Sequence, residues 1–163
     1  MSHHPRCDPR PFPRTPKRTS IPSVFSQLTG RVECYTSSVT EADVISHWRK
    51  GARDAMIVAQ AAQEKGKYAL ALFNAHLAVE KALKALYMEQ HRKESPMTHD
   101  LEKIALQINR KWTPAQKELL TDLTQYAVAA RYDDPYWAER EATEENTSEW
   151  LVQAEVFLTI LLP

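Results

Sequence analysis

The sequence predicts an all-α fold, an antiparallel up-and-down bundle of four to five helices. Three observations carry that prediction. Glycine occurs only at Gly30, Gly51 and Gly66 in 163 residues, while the strong helix formers alanine, leucine, glutamate and lysine are abundant. From residue 40 onward, apolar side chains return at steps of three and four. No stretch alternates apolar and polar residues as a half-buried strand would.

The bundle is expected over residues 39–163, long enough for one domain with one hydrophobic core. Residues 1–38 read differently. Six of the ten prolines fall before residue 23, at Pro5, Pro9, Pro11, Pro13, Pro16 and Pro22. Proline at that density removes backbone donors and blocks helix, and few large apolar residues are present to offset the entropy of ordering. A disordered basic tail is therefore expected. It holds Arg6, Arg10, Arg14, Lys17, Arg18 and Arg31 against Asp8 and Glu33, a net charge of +4 that leaves −4 for the rest of a formally neutral chain. Three readings of the tail compete. A transit peptide needs an amphipathic helix that these prolines forbid. A basic arm could touch RNA. A start codon assigned too far upstream, with Val39 as the natural beginning just ahead of Thr40, is the reading we favour.

Several function classes are disfavoured. Both cysteines, Cys7 and Cys34, lie in the tail, so no disulfide framework is expected in the domain, which suits a reducing cytoplasmic setting. No Cys/His spacing resembles a metal site, and no cofactor is expected. No apolar run approaches the roughly 20 residues of a membrane span. An acidic domain also lacks the overall charge signature of a nucleic-acid binder.

The elements follow in order. Thr40 is placed to cap a first helix, with Glu41 and Asp43 in its first turn, where the helix dipole favours acids. Val44, Ile45, Trp48, Ala52, Ala55, Met56, Ala59 and Ala62 give it one apolar stripe up to about Lys65, and Gly66 ends it. A second helix spans about Tyr68 to His91, with Tyr68, Leu72, Ala75, Val79, Ala82 and Leu86 on one face. Leu70, Phe73, Leu77 and Met88 lie on another side, the pattern of a central helix or one covered by a partner chain. Ser95-Pro96-Met97 breaks the chain. Thr98 is then expected to cap a short third helix burying Leu101, Ile104, Ala105 and Ile108. Thr113-Pro114 signals the fourth helix, which carries Leu119, Leu120, Leu123, Tyr126, Ala127 and Ala130 up to Asp133-Asp134-Pro135. A last helix from near Thr143 to Leu161 carries Trp150, Leu151, Ala154, Phe157, Leu158 and Leu161.

Three places could hold chemistry. His76, Glu80 and Lys84 recur at four-residue steps on one face of the second helix. They form either a solvated ladder worth a few tenths of a kcal/mol or a polar strip lining a groove, where lysine would hold a phosphate as a point charge. Lys81 points about 100° away, toward solvent. His99 and Asp100 at the start of the third helix either cap it or face that strip and complete a site. Arg131 complements the dipole at the end of the fourth helix, and Tyr132, Tyr136 and Trp137 offer aromatic faces. Residues 133–149 hold seven acids and only Arg140, which would repel a long polyanion but admit a single nucleotide held by one cation.

Taken together, these segments resemble a known family. Phe73-Asn74-Ala75-His76-Leu77-Ala78-Val79-Glu80-Lys81-Ala82-Leu83-Lys84-Ala85-Leu86 is similar to the signature helix of the HEPN family. Thr98-His99-Asp100-Leu101 resembles its second motif and Ala130-Arg131-Tyr132 its third, over about residues 40–162. The resemblance implies a helical bundle that commonly forms a homodimer, and two classes of function. Some members are metal-independent endoribonucleases with an arginine and a histidine a few residues apart. Others accompany a minimal nucleotidyltransferase, as in toxin–antitoxin-like pairs, and bind nucleotide or substrate. Here Tyr136, Trp137 and Ala138 stand where the ribonuclease histidine would follow Arg131. Arg92 and His99 match the spacing literally but straddle the Pro96 loop in a different motif. No catalytic residue is assigned, and the non-catalytic binding subunit is the favoured expectation.

Overall fold

The computed structural model describes residues 39–132, 136 and 140–163. The tail with its expected disorder, Asp133-Asp134-Pro135 and Trp137 lie outside the described residues. Thr40 opens helix α1 (Glu41–Glu64) with a full capping box: its hydroxyl accepts from the Asp43 amide, and the Asp43 carboxylate accepts from the Thr40 amide. Gly66, at φ 65°, turns the chain out of that helix. After this short turn comes α2 (Tyr68–His91), which runs back along α1 as an antiparallel hairpin.

The third helix is shorter than expected. In α3 (Leu101–Ala105) the cap is Asp100, whose carboxylate accepts from the Lys103 amide, while Thr98 accepts from the Asp100 amide one step earlier. Thr98 is therefore not the cap. Ile108 is buried as expected but sits beyond the helix, in a turn. Thr113 and Pro114 begin α4 (Pro114–Arg131) with a second capping box, closed by Gln116. Thr143 caps α5 (Glu144–Leu161). The described residues thus form five helices and no strand, and none of these helices is long and apolar enough to cross a membrane.

α2 is the central element, packing against α1, α3, α4 and α5. Its double apolar character follows from that position. Ala71, Ala75, Ala78, Ala82 and Ala85 are fully enclosed, as are Leu72, Val79 and Leu83. The small side chains let several helices approach one axis closely while still removing apolar surface from water. Met88 is buried and Phe73 and Leu77 are half-buried, so the chain itself largely covers the second apolar side; Leu70 remains 51% exposed.

Close packing around alanine leaves no room for a larger side chain. Ala75→Leu is expected to lower unfolding free energy by about 1–3 kcal/mol through overpacking. Urea denaturation of the two proteins measures this, and an unchanged midpoint would contradict the close approach.

Candidate functional site

The polar residues of α2 are not a solvated ladder. Glu80 is 4% and Lys84 6% exposed, and the Lys84 ammonium donates to Glu80 Oε1 at 2.8 Å inside the bundle. A surface pair at this spacing contributes a few tenths of a kcal/mol, whereas a buried pair must offset the desolvation of both charges. It does so here with further partners. The His99 Nδ1–H donates to both Glu80 carboxylate oxygens at 3.0 Å. The Lys84 ammonium also lies 5.5 Å from the centre of the Trp48 ring on α1, within cation–π range.

His76 grips the same loop from one turn away. Its Nε2–H donates to the His99 carbonyl at 2.9 Å, since a carbonyl oxygen only accepts. α2 therefore holds His99 twice, by its backbone through His76 and by its ring through Glu80. Helix α3, which follows this loop, is tied from the other side as well. The Leu101 amide donates to Thr124 Oγ1, and the Trp112 indole donates to the Ala105 carbonyl.

These contacts bias protonation. Burial acts to raise the Glu80 pKa, but hydrogen bonds from Lys84 and His99 and their charges outweigh it and hold the carboxyl below its ordinary value. Burial pushes the His76 imidazole down. The His99 carbonyl and Glu80 oppose that shift, and the charges of Arg131 and His99 add to it. His76 is thus the neutral Nε2–H tautomer near pH 7.

The candidate residues divide accordingly. His76, Glu80, Lys84 and His99 come together, with Arg131 near enough for its charge to act on His76. Arg131 is exposed, and among the described residues it forms no ion pair. Asp100 does not join the cluster, because capping α3 and pairing with Lys103 at 2.9 Å engage its carboxylate. Tyr132 caps α4 with its side chain 78% exposed, and Tyr136 is also exposed. Arg92 and His99 answer to different partners: Arg92 bonds Glu41 at the start of α1, while His99 bonds Glu80. Trp48 is legible in the sequence only as part of an apolar stripe, since its place beside Lys84 depends on how α1 packs. Lys81, expected in solvent, is half-buried and donates to the Gly51 carbonyl at 3.4 Å. Among the described residues no group of three or more His, Cys, Asp or Glu side chains is arranged to hold a metal ion.

The family model described as "HEPN domain" matches residues 45–162. A solved structure, that of TT1696 from Thermus thermophilus, is similar at 26% identity with a TM-score of 0.64, over 72% of this chain and 94% of that one. No curated protein sequence matches the chain.

Because the folded pKa values of His76 and Glu80 are both depressed, the folded chain binds fewer protons than the unfolded one, and stability falls as pH falls. The His76 part is present above its ordinary 6.5 and is lost as pH drops through the lower folded value. The Glu80 part follows at lower pH, beginning near the ordinary 4.5. Thermal melts across this range should show both declines, and His76→Gln should flatten the upper one alone. An identical profile in that variant would show that His76 is not the titrating group.

Proposed function

The chain belongs to the HEPN family, and on that premise we propose that it is a non-catalytic nucleotide-binding subunit, acting as a homodimer beside a minimal nucleotidyltransferase. One observation carries the reading: the cations of the cluster are in two different states. Lys84 is neutralised and enclosed by Glu80, so it fixes the site without meeting a ligand. Arg131 is exposed and has no ion pair among the described residues; its charge acts on neutral His76, and Tyr132, the next residue, has an exposed ring. An exposed guanidinium suits one phosphate, and an exposed aromatic ring suits one base. His76 is enclosed with its Nε2–H bonded to the His99 carbonyl, which removes it from general acid–base chemistry on RNA, and no histidine follows Arg131 at the ribonuclease spacing. The half-exposed Leu70 offers apolar surface for a second copy.

Calorimetric titration with ATP and GTP tests this. Arg131→Ala should weaken binding by about 1.5–3 kcal/mol, the worth of a charged hydrogen bond, with the melting temperature unchanged. Lys84→Ala should instead lower stability by about 3–5 kcal/mol, since it leaves the Glu80 carboxylate buried without its partner. Unchanged nucleotide affinity in Arg131→Ala would remove the basis of the proposal. So would cleavage of a mixed RNA pool without metal that disappears in both Arg92→Ala and His99→Ala.

A further inference from the structure

Gly51 lies in the middle of α1, where glycine is the poorest choice short of proline. Its backbone gives no reason for it: Gly66 is the only glycine with positive φ among the described residues. The reason is steric. A Cβ at position 51 would stand 3.1 Å from Lys81 Nζ and 3.3 Å from Lys81 Cδ. The missing side chain lets Lys81 lie across α1 from α2.

That lysine is under-partnered. Its ammonium has a single long bond to the Gly51 carbonyl and, among the described residues, no carboxylate at ion-pair distance. It opens into a cleft of about 360 Å³ between the two helices. Lys50, one turn from His47 and Asp54, lines the same cleft without an ion pair of its own among the described residues. Asp54 is the one acid there. Ala55, Val58 and Leu77 supply the apolar lining of the cleft. Buried Asn74 also lines the cleft, with one amide hydrogen donated to the Leu70 carbonyl and its side-chain oxygen left as an acceptor. The cleft has the size of a small-ligand site and combines apolar side chains with two cations.

We propose that this cleft is a second ligand site, distinct from the Glu80–Lys84 cluster, which takes a small phosphomonoester. Lys81 and Lys50 hold the phosphate as point charges, and the apolar lining at Val58 and Leu77 takes a compact organic body. A dianion outweighs the single Asp54 charge, and the volume matches one small organic body.

The full chain titrated with phenyl phosphate, with inorganic phosphate and phenol as part-ligands, tests this by amide NMR. Phenyl phosphate should saturate, shift the Gly51 amide, and bind tighter than either part. Gly51→Ala should keep or raise the melting temperature, since alanine favours helix and the lysine tip can move aside, yet weaken phenyl phosphate by about tenfold or more. Lys81→Gln should weaken it likewise. Undiminished affinity in either variant, or shifts confined to the end of α4, would overturn the proposal. Shifts confined to α4 would leave the Arg131 reading intact, so the two sites stand or fall separately.

Discussion

A carboxylate inside a helical bundle constrains everything around it. Glu80 is ionised and almost fully enclosed, and an uncompensated charge there would cost several kcal/mol. Lys84 and His99 both offset that cost, and each fixes another element in turn. Lys84 brings the Trp48 ring of α1 beside it, while His99 brings the loop before α3. His76 then fastens the backbone of that loop. Two elements, α1 and the loop before α3, are thereby registered against α2 around one anion. Apolar packing alone, which is non-directional, would not set that register.

The alanine content of α2 and this buried pair are two sides of one design. Small residues at 71, 75, 78, 82 and 85 bring the surrounding helices close enough to exclude water from the polar strip. Exclusion of water is what turns a pair worth a few tenths of a kcal/mol on a surface into one that decides stability. Leucines at those positions would hold the helices apart and let water reach Glu80.

How much of this could be read in the sequence depends on whether local or tertiary physics decided it. The helices and their caps at Thr40, Thr113 and Thr143 follow from side chains within four residues of one another, and they stand where the pattern puts them. Asp100 displaces Thr98 as the cap of α3 by the same local chemistry, because both can cap and only the backbone angles choose. The spacing of His76, Glu80 and Lys84 shows a shared face, but not whether that face meets water. Burial depends on α1, α4 and the His99 loop, all distant in sequence. Lys81 departs from its expected solvent position for the same reason. Its direction around α2 is legible, but the gap left for it by Gly51, thirty residues earlier, is not.

The two lysines of α2 separate structure from recognition on one helix. Lys84 is held by a carboxylate within the same chain, so its charge has little left to offer a ligand. Lys81, three residues earlier and turned toward α1, receives only a carbonyl dipole. A carbonyl stabilises an ammonium far less than a carboxylate does, so the remaining attraction is available to an incoming anion. The same distinction separates Glu80-bound His99 from exposed Arg131 at the other end of the cluster. Which charges are matched inside the chain, rather than how many the sequence contains, decides where this bundle can bind.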